Sequence, residues 1–252
     1  MSFLVIQGIP LSSSTRSAFR LLGGTICRMD RTNEDLYDMM NTYPFTVNMG
    51  RSGFNPPDFD GEFHASPLWN QGSTIQDLII PGRARELLGN LLPPRPEDYP
   101  ILAWLKAPGR GGRGKKRVLL QDPKEVPEAW DIQIHIKGTH YRINTVGHKV
   151  VQSHVKVDLP TQDTVRIGQR TYLWKLMKDV PKIVKKAARE GAKKLADERT
   201  LIGWDIVLDP ETDIPYILEG NSAPGMNAAT AKRTIDQITL DVLQSGEEEN
   251  AN

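Results

Sequence analysis

The apolar positions change period along the chain, and the changes outline its elements. Phe3–Gln7 is a short apolar run that predicts a strand. Ser12–Leu22 follows as a helix with a serine-rich start, and Thr25–Met29 reads as a second strand. From Asn41 to about Gly72 the chain is rich in Asn, Gly, Pro and aromatic residues. This predicts one short strand at Phe45–Asn48 and then a long irregular loop, which reads as a surface excursion, the commoner case, or as a loop that serves a substrate. A helix is expected at Arg83–Leu92, and the cluster Pro93-Pro94-Arg95-Pro96 with Pro100 marks a linker.

Beyond the linker the period is two. Strands are predicted at Ile101–Ala107, Lys116–Gln121, Trp130–Lys137, His140–Val146, His148–Ser153, Ile202–Leu208 and Ile214–Glu219, with Gly147 at a tight hairpin. Between the last hairpins, Leu173, Leu176, Val180, Ile183, Val184, Ala187, Ala188, Ala192 and Leu195 recur at helical spacing. They predict a helix over Tyr172–Asp197 that Pro181 must kink or restart. The tail Gly246–Asn252 has the composition of a disordered segment.

Composition narrows the class. The 252 residues include 38% hydrophobic residues, enough for a substantial core in one large domain or a few small lobes. The single cysteine, Cys27, excludes an intrachain disulfide and a multi-cysteine zinc site, and fits a reducing cytosol. No segment reaches the roughly 18 consecutive apolar residues of a membrane span, so a cytoplasmic protein without a membrane partner is expected.

The net charge of +1 conceals a segregation. Residues 1–100 carry 8 basic and 11 acidic residues, residues 101–200 carry 22 and 10, and residues 201–252 carry 2 and 10. A basic middle and an acidic end suit either a nucleic-acid binder with an acidic tail or an anion site facing a cation site.

Four stretches carry candidate chemistry. In IGWDIVLDPETDIPYILEGNS, a turn near Glu211–Thr212 sets Asp205 opposite Glu219 and puts Asn221 on the same face. Trp204, Ile206, Leu208, Ile214, Tyr216 and Leu218 are expected to point into a core. Two facing carboxylates call for a cation, and hard oxygen donors suit Mg²⁺ better than zinc. The stretch LAWLKAPGRGGRGKKRVLL joins two strands through Gly109, Gly111, Gly112 and Gly114, with Lys106 ending the first strand. Its backbone N–H groups could approach an anion, but it matches neither the P-loop nor the dinucleotide fingerprint. Arg142, on a strand between these two, offers a guanidinium to phosphate oxygens. The basic helix face Lys182, Lys185, Lys186, Arg189, Lys193 and Lys194 reads as a solvated surface or as a phosphate-backbone contact.

Taken in order, these pieces resemble the ATP-grasp enzymes over about Ile80 to Ile235. The resemblance is nearest to the small carboxylate–amine ligases of bacteria and phages, the D-alanine ligase and ribosomal-protein glutamate ligase groups. GNSAPGM is similar to the N-x-x-P-G-M segment of the D-alanine ligase group.

The resemblance implies an α/β (α+β) fold with two antiparallel-sheet lobes gripping ATP, at residues 101–245. These would follow an N-terminal α/β lobe at 1–92 and a linker at 93–100, with an acidic tail at 246–252. It implies that Lys106 contacts ATP phosphates, that Gly111, Gly112, Arg113 and Gly114 cover them, and that Gln133, Ile134, His135 and Ile136 form the adenine hinge. Arg142 would stabilise the transferring phosphoryl group. Asp205, Glu219 and Asn221 would hold one or two Mg²⁺, with Mn²⁺ as a substitute, Asn221 also acting in catalysis.

The family's first phosphate lysine is replaced by Arg83 or Arg85. His135 stands where the hinge usually has a Glu, and His140 where many relatives have an acid. The activity implied is an ADP-forming ligase that joins a carboxylate to an amine through an acylphosphate. The alternative is a nucleotide- or nucleic-acid-binding protein that uses the basic region 101–200 without catalysis.

Overall fold

The computed structural model describes residues 2–8, 10–27, 30–54, 67–107, 115–127, 130–158, 172–195 and 197–250. Its first sheet is parallel, built from β1 (Phe3–Gln7), β2 (Gly24–Ile26), β3 (Thr46–Met49) and β4 (Leu68–Trp69) in the order β2-β1-β3-β4. Helices α1 (Ser13–Leu21) and α2 (Asn33–Met40) connect the first three strands, each started by a side-chain cap. Ser12 accepts from the Thr15 amide, and Thr32 and Asp35 form a reciprocal capping box. Strand β1 is apolar on both faces because both are covered. Phe3 stacks on Phe45 with ring centroids 5.2 Å apart on one side, while Leu4 and Ile6 pack with Leu36 and Met40 on the other. Neither α2 nor the next helix, α3 (Gly72–Ile79), is anticipated by the apolar spacing. Helix α4 (Pro81–Leu88) follows directly and ends in a 3₁₀ turn at Gly89–Leu91.

The second sheet is antiparallel: β5 (Ile101–Lys106), β6 (Lys115–Leu120) and β7 (Asp131–Ile134), in the order β6-β5-β7. The glycine-rich loop that joins β5 to β6, including Gly111, Gly112, Arg113 and Gly114, lies outside the described residues. The third sheet is built from β8 (Thr139–Val146), β9 (Lys149–Asp158), β10 (Tyr172–Leu176), β11 (Leu201–Leu208) and β12 (Pro215–Asn221), in the order β10-β9-β8-β11-β12. Helix α5 (Lys182–Lys193) covers one of its faces. Val184, Ala187, Ala188 and Ala192 pack there against Trp204 and Ile217, and a Cβ at Gly191 would stand 2.7 Å from the Ile217 side chain. Helix α6 (Ala228–Asn250) runs along α1 and β9, joining the third sheet to the first through Ala231, Ile235 and Ile238.

Three expectations need correction. Residues 172–176 are not the start of a helix but the strand β10, antiparallel to β9, and the helix begins only at Lys182. Pro181, without an N–H to donate, stands at the helix N-cap rather than within a kinked helix. Leu173 and Leu176, spaced three apart like helical core positions, are exposed. Of the acidic tail at 246–252, residues 246–250 continue α6 rather than forming the unstructured segment their composition suggests, and 251–252 lie outside the described residues. In the last hairpin a β-bulge shifts the register, so that Asp205 pairs with Glu219 while Ile206 pairs with Ile217. Ile217 rather than Leu218 therefore joins Trp204 and Ile206 in the core. Tyr216, Leu218 and Leu208 are only half-buried, and Ile214 is exposed.

Candidate active site

The face of the third sheet opposite Trp204 is polar, and strand register explains why. On adjacent strands His154 pairs with Arg142, Arg142 with Asp205, and Asp205 with Glu219, so four functional side chains cross β9, β8, β11 and β12 in one row. The neighbouring row holds Gln152, Asn144, Gly203 and Asn221. The β-bulge keeps Glu219 opposite Asp205 while Ile217 fills the core behind them.

Arg142 and Asp205 form a two-pronged ion pair, with Nε 2.6 Å from Oδ1 and Nη2 2.7 Å from Oδ2. The guanidinium also lies 4.7 Å from the centre of the Trp174 ring, which clamps it from the β10 side. The Asn221 amide nitrogen stands 3.4 Å from both Asp205 Oδ2 and Glu219 Oε1.

Charge is under tension here. Burial, with the adjacent Glu219 charge, pushes the Asp205 carboxyl up to about 6 against the opposing pull of Arg142. Burial works against the Arg142 charge, yet the hydrogen bond and charge of Asp205, helped by Glu219, raise its pKa. His154 is held below the ordinary imidazole value by burial and by the Arg142 charge. Two carboxylates that repel so strongly, with an amide beside them, form a donor set that a hard divalent cation would relieve. Rotating the Asn221 amide end for end would present its oxygen to that cation. Among the described residues no group of three or more His, Cys, Asp or Glu converges, and the side chain beside the two carboxylates is the Asn221 amide.

The second sheet supplies the opposing wall. Lys106 and Trp104 lie on one face of β5, while Ala103 and Leu105 on its other face belong to a small core. The Lys106 ammonium reaches across to the third sheet and donates to the Leu218 carbonyl, next to Glu219. In the segment expected to form the hinge, the Gln133 side chain donates to Asp131 at 3.1 Å. The Ile134 and His135 amides donate to the carbonyls of Pro94 and Leu102. A backbone N–H contact to a base would therefore fall to Ile136 or beyond. The His135 ring accepts the Trp104 indole N–H at its Nδ1, 2.9 Å away, and is thereby kept in the Nε2–H tautomer.

The two candidates for the missing lysine part company. Arg83 is exposed and pairs with Asp77, whereas Arg85 is largely buried against Asp131 on β7, which pairs with Lys106 on β5. Arg85 also donates to the Pro93 and Ile132 carbonyls, so its guanidinium is a strut beneath this wall.

Several residues of the site were not singled out from the sequence. Trp174 was hidden by the helical spacing of its neighbours. Asn144 is fully buried with both amide atoms unpartnered, and His154 has an unpartnered Nδ1; both lie in register with residues that were identified. The alternation Gln152, His154, Lys156 on β9 would have shown this face. Asn227, in the loop after Asn221, caps α6: its Oδ1 accepts from the Thr230 amide at 2.9 Å.

The arrangement of one parallel and two antiparallel sheets has counterparts among solved structures. The D-alanine–D-alanine ligase from Bacillus anthracis, complexed with ATP, superposes with a TM-score of 0.65 over 99% of both chains at 16% identity. The chain has the ATP-grasp fold. The ATP-grasp ligase PsnB, complexed with a minimal precursor, matches with a TM-score of 0.60 at 12% identity, covering 94% of this chain and 99% of that one. The L-amino acid ligase from Bacillus licheniformis gives 0.55 at 13% identity over 88% and 67%. No protein-family model matches the sequence, and no curated protein sequence matches it. Among the described residues no helix is long and apolar enough to cross a membrane.

Proposed function

We propose that this protein is an ATP- and Mg²⁺-dependent ligase that joins a carboxylate to an amine. The observation that carries the reading is the row Arg142–Asp205–Glu219 with Asn221, facing Lys106 across the gap between two sheets. In this reading Lys106 and the glycine loop at 109–114 hold the ATP phosphates, and Gln133 to Ile136 lie along the base. Asp205, Glu219 and Asn221 hold Mg²⁺, which neutralises phosphate charge when bound. Arg142 stabilises the phosphoryl group in flight, because charge spreading over its oxygens needs fixed cations nearby.

The substrate carboxylate oxygen attacks the γ-phosphorus as the bond to the β-phosphate oxygen breaks, giving an acylphosphate and ADP. The neutral amine then attacks the acyl carbon, phosphate leaves, and the amine loses its proton. The neighbours with PsnB and L-amino acid ligase names favour an amino acid or peptide as one partner. A second reading rests on the exposed outer face of α5, where Lys182, Lys186, Arg189, Lys193 and Lys194 meet solvent beside the Glu190–Lys186 pair. It makes the protein a nucleic-acid binder.

One experiment separates them. ATP binding by calorimetry should depend on Mg²⁺ and be lost in Asp205→Ala, with ADP release in a screen of amino acids and short peptides falling by about 10²–10³-fold. Salt-sensitive RNA or DNA binding that Asp205→Ala leaves intact, with no Mg²⁺-dependent ATP binding, would sink the ligase reading.

A further inference from the structure

The loop 222–226 follows Asn221 directly and joins β12 to α6, and it is fastened at both ends by buried side chains from the first lobe. At one end stands Asn70, just after β4, fully buried in a left-handed conformation with φ of 63°. The two N–H groups of its amide are shared among three carbonyls, Asn48 at 3.1 Å, Leu201 at 3.0 Å and Ser222 at 3.1 Å from the nitrogen. Its amide oxygen accepts from the Leu201 N–H at 2.7 Å, and its own N–H donates to the Arg199 carbonyl at 2.8 Å. At the other end Thr15, in the first turn of α1, donates its hydroxyl to the Met226 carbonyl at 3.2 Å. The same hydroxyl accepts from the Met226 N–H at 3.0 Å.

The chemistry of position 70 is narrow. Asn tolerates a positive φ better than most side chains and brings donors and an acceptor together. Asp would set a carboxylate against three carbonyl oxygens. Gly would keep the backbone and lose every side-chain bond.

The β11–β12 ladder ends at the Gly203–Asn221 pair, so Leu201 and Ser222 lie where β12 has left that pairing. Asn70 bridges them there, one residue from Asn221, and ties both to the end of β3. Asn48 in turn fixes the chain beyond β3, donating to the Arg51 carbonyl and accepting from the Arg51 N–H.

We infer that Asn70 is a positioning residue, with Thr15 as its counterpart, through which the first lobe sets the geometry of Asn221 and the loop after it. The inference rests on Asn221 belonging to a cation site, as proposed above. Among the described residues the wall on the second sheet makes no bond to Asn70, so affinity for ATP at saturating Mg²⁺ should be indifferent to it.

The test compares wild type, Asn70→Gly, Asn70→Asp and Thr15→Val by two readouts. In the absence of metal, hydrogen exchange of amides 222–227 should quicken at least tenfold in each variant, with exchange in β8 and in β11 beyond Leu201 unchanged. In calorimetric titrations the Mg²⁺ concentration that half-restores ATP binding should rise about tenfold in the Asn70 variants. The ATP dissociation constant at saturating Mg²⁺ should stay within twofold. Thr15→Val preserves volume and reports on the loop even if Asn70→Asp does not fold.

Unchanged exchange at 222–227 in the folded variants overturns the inference. So does an Mg²⁺ midpoint that fails to move in Asn70→Gly while wild type retains its Mg²⁺ dependence. Wild-type ATP binding indifferent to Mg²⁺ overturns the cation site itself, and the positioning role with it.

Discussion

Trp204 on β11 and Trp104 on β5 both hand their indole N–H to a neighbouring side chain, yet the two sheets use them in opposite ways. Trp204 is fully buried, donates to the Thr145 hydroxyl at 3.0 Å, and backs the strand that presents Asp205. Trp104 is half-buried, donates to His135, and stands on the open face of its sheet beside Lys106. One indole holds a charged row rigid from behind, and the other is part of the surface a nucleotide would meet. Charges that repel, such as Asp205 and Glu219, stay in place only when the backbone beneath them is packed. A single lysine with a carbonyl partner needs no such backing.

Truncating each indole tests that contrast most severely. Trp204→Ala should lower stability by about 3–5 kcal/mol in urea unfolding, because it opens a cavity among Val184, Ala188, Ile206 and Ile217. Trp104→Ala should cost no more than about 1.5 kcal/mol, the scale of one hydrogen bond and a half-covered ring. Equal losses would mean that the small sheet is packed as tightly as the large one.

The same contrast explains what could be read from the sequence. The acid–acid–amide cluster was legible because its residues lie on two adjacent strands with period-two spacing, and a short turn sets their register. Asp205 does face Glu219. The bulge was not legible, since one extra residue changes the faces of Tyr216, Ile217 and Leu218 without changing the composition. Strand β10 was misread because Leu173 and Leu176 carry a spacing of three, while the residue that matters there, Trp174, works through a contact with Arg142 on a distant strand. Asn70 and Thr15 act through backbone atoms far along the chain, and no local pattern records such bonds. The fold class, by contrast, is legible through the order of the motifs from Lys106 to Asn221 and the resemblance that this order carries, a property of order rather than of any one contact.

Smaller in size is the effect of relieving the repulsion on the charged row. Because Asp205 titrates at about 6, above its ordinary 3.8, its ionised form opposes folding at neutral pH. Glu219→Gln removes one cause of that shift, so the Asp205 titration should move down and stability at pH 8 should rise by on the order of 1 kcal/mol. The gain is present above about 6 and shrinks as acid protonates the wild-type carboxyl. Metal-free thermal melts of both proteins at pH 8 and pH 4.5 check this: an equal difference at the two pH values would show that Glu219 does not drive the shift. The same variant should bind ATP with weaker dependence on Mg²⁺, so the stabilised protein is the poorer cation site.

The smallest effect belongs to His135, on the other wall. Burial, then the charges of Arg117 and Lys137, lower its pKa below the ordinary 6.5, so the ring is neutral at pH 7 and its Nδ1 is free to accept from Trp104. A histidine whose folded pKa is depressed contributes stability above 6.5 that is lost as pH falls through the folded value. The Trp104 bond is lost with it, since protonation of Nδ1 removes the acceptor. His135→Ala should therefore cost about 1 kcal/mol at pH 8 and less below pH 6, measured by urea unfolding. The ring lies on the face of the wall that Lys106 and Trp104 share, so the variant should also change ATP affinity by no more than a few fold. A loss as large as that of Asp205→Ala would move the ring from a support of the wall to a principal nucleotide contact, and would erase the division of labour between the two sheets.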